Sequence, residues 1–294
     1  MKNDTMPAET VESTTDSALL EKIHATNFPK KDISIAEAQF GFRYVEEHLG
    51  KLPANGRALE VGCGSGILMG LLKERYPQLE IQGIEPLGSG FAALGSINQY
   101  IRDQGIQILD IGYEYFQPEH HFDVIYAINV FEHLEDWRHF LRFVEAHLAS
   151  DGVCVILCPN YGFPYESHFK IPVIINKSIT ASVFRKSITQ HEERKDSHGL
   201  WHSLNFVKLQ QVRNALKACP LRLTVRHRII EDMISRIGND AEFRKRQKVV
   251  GSLGRVAYKL GLTKLFRYSI FQNVMPYMLL EISHDAQNKT IEEQ

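Results

Sequence analysis

Cysteine is scarce in this chain, and its spacing excludes two common kinds of site. The 294 residues include four cysteines, Cys63, Cys154, Cys158 and Cys219. No two of them form a Cys-x-x-Cys pair, so the sequence offers neither a zinc-finger ligand set nor a thioredoxin-like redox motif. Cys154 and Cys158 share one face of a predicted strand, which predicts small buried side chains. We expect reduced thiols, as in a cytoplasmic protein.

Long apolar runs and an excess of charge are also absent. No segment approaches the roughly 18 apolar residues that a membrane span requires, and the N-terminus lacks the apolar stretch of a signal peptide. Lysine and arginine number 34 against 35 aspartate and glutamate residues, for a net charge of -1. That balance favours neither a nucleic-acid partner nor a charged surface of one sign. We expect a cytoplasmic protein, monomeric or homodimeric, without nucleic acid and without a membrane span.

Short apolar runs alternate with helical stretches along the middle of the chain. Strands are predicted at Ala58–Val61, Glu80–Ile84, Ile106–Leu109, Phe122–Ile128, Gly152–Cys158, 221–230 and Tyr277–Ser283, and helices at Ile67–Tyr76, 88–101, Trp137–Leu148, 205–218 and 238–270. This alternation is typical of a parallel sheet with helices on both faces. We predict an α/β fold built on a doubly wound sheet.

The remaining segments flank this pattern. Residues 1–33 are predicted to form a mobile tail and a short helix near 17–25, followed by a helix that begins at Ser34, where Ser34 and Glu37 make a Ser-x-x-Glu capping box. The chain is therefore predicted to have four parts: this N-terminal extension, a core at 34–159, an inserted lid at 160–204 and a C-terminal part at 205–294. The C-terminal part is expected to complete the sheet and to carry a helical insertion. The apolar and basic residues of 255–271 favour a core-facing helix over one that lies on a membrane.

A glycine-rich loop follows the first predicted strand. It runs Glu60-Val61-Gly62-Cys63-Gly64-Ser65-Gly66 and precedes a predicted helix. Glycine allows a sharp turn and a close ligand approach, and the free N–H groups of the helix start favour a nucleotide or a carboxylate. Its Gly-x-Gly-x-Gly spacing departs by one residue from the Gly-x-Gly-x-x-Gly of dinucleotide-binding folds. With its acidic residue in front, the loop resembles motif I of the class I methyltransferases that use S-adenosylmethionine (SAM).

Two acidic residues and a strand motif extend this resemblance over about residues 35–160. In the family it implies, the acid at the end of the second strand, here Glu85 with Pro86 beside it, binds the ribose hydroxyls. An acid after the third strand, here Asp110, meets the adenine amino group, and the N–H of Ile111 meets the ring. The segment Phe122–Leu134 resembles the fourth-strand motif, so Asn129, Val130 and Phe131 are expected to line the methionine end. The resemblance implies a Rossmann-like sheet of seven strands and SAM as the cofactor. The predicted cofactor-binding residues are Glu60, Gly62, Cys63, Gly64, Gly66, Glu85, Pro86, Asp110, Ile111, Asn129, Val130 and Phe131.

Candidate catalytic residues lie beyond the fourth and fifth strands. His133 is placed near the methyl donor, and Tyr161, Tyr165 and His168 follow the fifth strand, where ligands of open α/β sheets bind. Each has a plainer role open to it, as a structural hydrogen-bonding group or as part of a packed aromatic loop. The adjacent Glu132 and His133, and the His198-x-x-x-His202 pair, supply too few converging ligands, so no metal is predicted.

The resemblance implies a small-molecule methyltransferase, of the kind found in secondary metabolism, that moves the methyl group of SAM to an oxygen or nitrogen atom by in-line displacement. Two alternatives stay open. The aromatic segment after Pro159 would also suit an enzyme for which SAM is the sole substrate, and which cyclises the aminobutyrate arm and releases methylthioadenosine. The chain would otherwise be a non-catalytic subunit that binds SAM. The glycine spacing disfavours an NAD(P) oxidoreductase.

Overall fold

One seven-stranded sheet organises the chain. The computed structural model describes residues 17–88, 90–240, 243–244 and 248–285. Its strands are β1 (Arg57–Val61), β2 (Glu80–Ile84), β3 (Ile108–Leu109), β4 (Phe122–Ile128), β5 (Leu148–Pro159), β6 (Tyr165–Glu166), β7 (Ile171–Pro172), β8 (Leu221–Val225) and β9 (Tyr277–His284). The sheet order is β3-β2-β1-β4-β5-β9-β8, and β6 pairs with β7 separately. Strands β1 to β5 are parallel, and β9 runs antiparallel to both β5 and β8. The predicted Rossmann-like architecture is confirmed.

The helices cover both faces of this sheet. They are α1 (Ala18–His24), α2 (Lys31–Leu49), α3 (Ile67–Arg75), α4 (Gly95–Asp103), α5 (Trp137–His147), α6 (Lys177–Lys195), α7 (Leu200–Ser203), α8 (Leu209–Leu216), α9 (Ile229–Asn239), α10 (Lys248–Lys259) and α11 (Ser269–Gln272). Alternate residues of β4 point to opposite faces. Val124 and Tyr126 pack in a core with α1 to α4, whereas Ile125 and Ala127 pack in a second core with α5 and α8. Throughout the described ranges, every helix is too short or too polar to span a bilayer.

The cysteines lie as their spacing predicts. Cys154 and Cys158 are fully buried in the same apolar core. All four cysteines are free thiols, and Cys219 is the half-buried one among them.

Several predicted element boundaries are wrong by four residues or more. Helix α4 begins at Gly95 and not at residue 88, β5 begins at Leu148 and not at Gly152, and α8 begins at Leu209 and not at residue 205.

Two further boundaries are wrong for a clear local reason. Helix α2 begins at Lys31, and Lys30 precedes it with a φ of 58°. Ser34 therefore lies inside the helix, where its N–H already donates to the Lys30 carbonyl (3.0 Å), and the predicted capping box does not form. The strand predicted at 221–230 ends at Val225, because Ile229 and Ile230 instead begin α9 and are buried in the core with α1 to α4.

The C-terminal helical region differs most from expectation. The helix predicted at 238–270 is divided, and Gly261, with a φ of 71°, lies between α10 and a 3₁₀ turn at Leu262–Arg267. The core-facing helix predicted at 255–271 is wrong, since Val256, Leu260 and Ile270 expose 55%, 68% and 74% of their surface.

Residues 160–204 contain β6, β7, α6 and α7 and have an apolar cluster of their own. That cluster joins Tyr161, Phe169, Ile171, Ile188, Leu200, Leu204 and Phe206. The sequence shows no period here because α6, although 19 residues long, buries only Thr180 and Ile188. A helix with so few buried positions carries no apolar stripe.

Candidate functional site

The predicted site residues come from separate stretches of sequence but lie at one edge of the sheet. Parallel strands point their carboxyl ends the same way, so the segments after β1, β2, β3 and β4 meet there. They supply the glycine loop that begins at Gly62, then Glu85, Asp110 and Asn129. Pro86 and Asp110 are exposed, and Ile111 is half-buried. This edge therefore combines a glycine loop, two acidic residues and a polar turn.

The glycine loop depends on glycine for two reasons. Gly62, Gly64 and Gly66 have φ values of 71°, 51° and 76°, which residues with a Cβ rarely adopt. A Cβ on Gly62 would lie 2.4 Å from Cγ1 of Val130, and one on Gly66 would lie 2.7 Å from Cδ1 of Ile108. The loop is therefore packed tightly against β3 and against the segment that follows β4.

Two buried polar side chains hold the loop from the neighbouring elements. Glu85 accepts hydrogen bonds from the N–H of Gly64 and of Leu87, both at 2.7 Å. Each carboxylate oxygen can accept a second bond, so Glu85 keeps capacity for ligand hydroxyls. Asn98 of α4 donates from Nδ2 to the Gly64 carbonyl (2.7 Å) and accepts a bond from Arg102. Asn98 was not predicted from the sequence. The only feature that could have indicated it is its place as a polar residue on the buried face of a helix.

The two predicted cofactor-binding residues of the loop that are not glycine, Glu60 and Cys63, point their side chains into the protein. Glu60 is almost fully buried, and its Oε2 has no hydrogen-bond partner among the described residues. Cys63 packs its side chain in the core, so it meets the edge of the sheet through its backbone.

The turn after β4 is hydrogen-bonded to helix α2 and to strand β9. Asn129 has a φ of 56°, donates from Nδ2 to Glu37 (3.1 Å) and accepts a bond from the Tyr277 hydroxyl (3.3 Å). Phe131 is fully buried against Trp137 and Phe140. Its side chain therefore belongs to the core. Of the residue predicted to line the methionine end, only the backbone atoms can face a ligand at this edge.

Arg236 of α9 fixes the position of Glu37 on α2. Its guanidinium donates to both carboxylate oxygens of Glu37 (3.2 Å each) and to Asp240 (2.8 Å). It also lies 4.4 Å from the ring centroids of Phe40 and Phe243. No local sequence pattern indicates this pairing, because Glu37 and Arg236 are far apart along the chain.

Three of the predicted catalytic residues gather beside this turn around two buried carboxylates. The His133 and His168 rings lie 5.3 Å apart, and Glu132 Oε1 lies 3.9 Å from His133 Nε2. Glu166 accepts from Tyr161 Oη (3.2 Å) and contacts His168 Nδ1 (2.7 Å). We call Glu132, His133, Tyr161, Glu166 and His168 the carboxylate–histidine cluster.

Three other candidate residues lie outside this cluster. Tyr165 is half-buried in β6. His198 and His202 are both exposed, and Gly199, with a φ of 88°, caps α7 between them. The helical His198–His202 pair considered from sequence therefore does not form.

The sequence matches a family described as a methyltransferase domain over residues 36–211, which is more than half of the chain. The chain belongs to the methyltransferase family. Its cofactor is SAM. The uncharacterized protein Rv1509 of Mycobacterium tuberculosis (strain ATCC 25618 / H37Rv) is 34% identical to this methyltransferase over 239 residues, which cover 79% of this chain and 80% of that protein.

Two further similarities show less: one covers a third of the chain, and the other concerns the fold alone. A malonyl-[acyl-carrier protein] O-methyltransferase of Bacillus anthracis is 30% identical over 97 residues, 33% of this methyltransferase and 35% of that enzyme. The structure of the cyclopropane synthase MmaA2 from Mycobacterium tuberculosis superimposes with a TM-score of 0.50 and 16% identity over 95% of this chain and 99% of that chain. At that identity the second likeness concerns the fold alone.

Burial gives the acidic groups of this methyltransferase unusual proton affinities. It raises the pKa of Glu60 to about 8, although the Tyr126 hydroxyl acts in the opposite direction. Burial also raises the pKa of Glu85, which the N–H groups of Gly64 and Leu87 partly offset. The pKa of Glu132 rises to about 7, chiefly through burial and against the attraction of His168.

The two histidines of the cluster are shifted in opposite directions. Burial holds the pKa of His133 well below its usual range, with positive charge on His168 and Lys177 adding to the effect. Burial also acts to lower the pKa of His168, but the nearby carboxylates, Glu166 foremost, outweigh it and the pKa rises. The cluster thus pairs His133, whose burial favours the neutral imidazole, with His168, whose neighbouring carboxylates favour the protonated form.

Proposed function

We propose that this methyltransferase transfers the methyl group of SAM to an oxygen or nitrogen atom of a small molecule by in-line displacement. The observation that carries the proposal is the short connection between the two halves of the site. The Gly62 Cα packs against Val130 at the glycine loop, and the cluster residue His133 lies in the 3₁₀ turn that follows Val130. A donor bound on the loop would present its methyl group toward the cluster.

The donor half is assigned as follows. Glu60, Gly62, Cys63, Gly64 and Gly66 would hold the amino-acid part of SAM, largely through loop backbone, and Glu85 would accept bonds from the ribose hydroxyls. Pro86, Asp110 and the Ile111 N–H would border the adenine, and Asn129, Val130 and the Phe131 backbone the methionine end. The unused acceptor sites of Glu85 and the exposure of Asp110 support this assignment.

The acceptor half is assigned to His133, Tyr161, Tyr165 and His168. The sulfonium activates the methyl group, so the protein mainly aligns the acceptor oxygen or nitrogen, the methyl carbon and the sulfur. His133 is the residue suited to take a proton from an acceptor hydroxyl or ammonium group, because its low pKa keeps it neutral. Such a base raises the rate by about 10²–10⁴-fold.

A small acceptor is favoured because the inserted segment 160–204 covers the turn after β4. Ser203 lies 2.9 Å from His133 Nδ1, and the side chain of Asn205, just past the segment, donates to the carbonyls of Phe131 and Leu134 (2.7 and 2.9 Å). These contacts bring the segment down onto the turn, which leaves little room for a macromolecular acceptor.

The test follows the labelled methyl group. The full chain is incubated with SAM carrying a ¹³C methyl group and the metabolite fraction of an extract from the encoding organism. We expect S-adenosylhomocysteine and a ¹³C-labelled small molecule in equal amounts by mass spectrometry. Methylthioadenosine formed from SAM alone would instead indicate cyclisation of the aminobutyrate arm. Label found only in protein or nucleic acid, or SAM bound but never consumed, would refute the small-molecule assignment.

A further inference from the structure

The Glu132 carboxylate is buried without a partner. The residue has 0% exposure, and neither carboxylate oxygen accepts a hydrogen bond from any residue that the structure describes. An isolated buried carboxylate is costly unless a cation or hydrogen-bond donors compensate it. Its nearest ring nitrogen is Nε2 of His133, at 3.9 Å, which is too far for a hydrogen bond. The carboxylate oxygens therefore have no hydrogen-bond donor among the described residues, and the attraction of His168 acts from beyond hydrogen-bond distance.

Both neighbouring histidines are oriented in the way that metal-ligating histidines are. His133 Nδ1 lies 2.9 Å from the Ser203 hydroxyl, and His168 Nδ1 lies 2.7 Å from a Glu166 oxygen. A histidine ligand usually donates one ring N–H to such an outer group, which fixes its tautomer and leaves the other nitrogen for the ion. In each ring the nitrogen that remains is Nε2.

We propose that Glu132, His133 and His168 form a binding site for a divalent first-row transition-metal ion. One ring nitrogen of each histidine and one Glu132 oxygen all lie within 4.8 Å of one another. Bonds of about 2.1 Å to a common ion would place such atoms about 3–3.5 Å apart, so two atoms at the 4.8 Å limit would approach each other by about 1.3–1.8 Å when the ion binds. Two imidazoles and a carboxylate suit Zn²⁺, Fe²⁺ or Co²⁺ and leave further coordination positions open.

A second group with ligand-like composition provides a contrast. Glu47, His48 and Glu281 also converge, but His48 Nε2 is already bonded to Glu281 (3.1 Å). The Arg226 guanidinium contacts both carboxylates, at 2.8 Å from Glu47 and 3.4 Å from Glu281. That group therefore already contains its cation, whereas no Lys or Arg forms an ion pair with Glu132 in the described part of the chain.

The ion would have a defined place in the reaction. We expect the open coordination positions of the ion to face the acceptor. This expectation rests on the proposed function, which assigns the same two histidines to the acceptor half of the site. An ion there would bind an acceptor through an oxygen ligand, such as a hydroxyl beside a carbonyl, a carboxylate or a second hydroxyl. Bound to the ion, that hydroxyl would have a lower pKa and would lose its proton to solvent water. In the metal-bound form both histidines would serve as ligands, so the role of base assigned to His133 would apply only to the metal-free protein.

The test measures metal binding without activity. The full chain, purified without a polyhistidine tag and stripped with EDTA, is titrated with Co²⁺, and visible absorption and calorimetry follow binding. We expect one equivalent to bind with a d–d absorption band. His168→Asn and Glu132→Gln should weaken Co²⁺ binding by at least 100-fold, and Ser203→Ala by about 10–100-fold. His202→Asn, which alters an exposed histidine outside the cluster, should bind Co²⁺ as the wild type does.

Thermal unfolding and SAM binding guard against misleading results. In EDTA, Glu132→Gln should melt no lower than the wild type, because it removes a buried unpaired charge. Added Zn²⁺ should raise the melting temperature of the wild type and not that of the variant. Wild-type protein that binds no Co²⁺, or Glu132→Gln and His168→Asn variants that bind it unchanged, would overturn the proposal. The ¹³C-methyl transfer assay on the same samples keeps the two proposals separate, since a chain that binds Co²⁺ but transfers no methyl group retains the metal site and loses the proposed function.

Discussion

Replacing Gly62 by alanine is expected to destabilise the chain by about 2–5 kcal/mol and to abolish tight SAM binding. A residue with a Cβ at a φ of 71° pays about 1–2 kcal/mol for the left-handed conformation. The new Cβ would also lie 2.4 and 2.7 Å from the two Cγ atoms of Val130, and such overpacking costs about 1–3 kcal/mol. Because Val130 belongs to the turn that follows β4, the shift that relieves this clash would also move the residues proposed to line the methionine end.

Gly105 provides the matched control for backbone strain. Its φ is 84°, and a Cβ there would meet nothing within 4 Å. Gly105→Ala should therefore cost only about 1–2 kcal/mol and leave SAM affinity unchanged. Adding Val130→Ala to Gly62→Ala should recover much of the overpacking cost. Urea unfolding measures the stabilities and calorimetry the SAM affinity. A Gly62→Ala protein as stable as Gly105→Ala, with wild-type SAM affinity, would refute the proposed contact between loop and turn.

Three further changes test separate parts of the account. Glu85→Gln should raise the SAM dissociation constant by about 10–100-fold in calorimetry, since hydrogen bonds to a charged group contribute about 1.5–3 kcal/mol; unchanged affinity would remove Glu85 from the ribose site. Glu60 has its folded-state pKa raised to about 8 from an ordinary 4.5, so the wild-type free energy of unfolding should fall, by at most about 1.4 kcal/mol per pH unit, as pH rises through that window. Glu60→Gln should flatten this fall in urea unfolding at several pH values, and an equal slope would contradict the shift. Arg236→Met should cost about 3–5 kcal/mol, because it leaves Glu37 without its buried cation; a cost below 1 kcal/mol in the same assay would contradict that role.

The central sheet could be predicted because its strands carry their own signal. The bounds of β2, Glu80–Ile84, and β4, Phe122–Ile128, are those predicted. Strand β4 is apolar except for Asp123, as expected of a strand buried on both faces, whereas β2 has a weaker signal in its buried Ile81 and Ile84. The glycine loop was equally local, because its conformation is required by residues adjacent in sequence. Helix α6 left no such trace, since a helix that buries few residues has no apolar stripe.

The candidate site was predictable only in part, because its geometry depends on long-range contacts. His133 and His168 were singled out, but which nitrogen of each ring is occupied depends on Ser203 and Glu166. Glu132 was considered and set aside because adjacent residues of a regular element point apart. In the structure Glu132 lies in a 3₁₀ turn. The third proposed metal ligand, His168, comes from the inserted segment. No sequence period connects these residues.

We propose that a single pocket joins a SAM site on the glycine loop to an acceptor site at the carboxylate–histidine cluster. A crystal structure of the full chain with S-adenosylhomocysteine tests it most directly. We predict ribose hydroxyls bonded to Glu85, the adenine beside Asp110 and Ile111, and the sulfur directed toward His133. A ligand bound elsewhere, or one whose sulfur points away from His133 with the cluster sealed from it, would contradict the account.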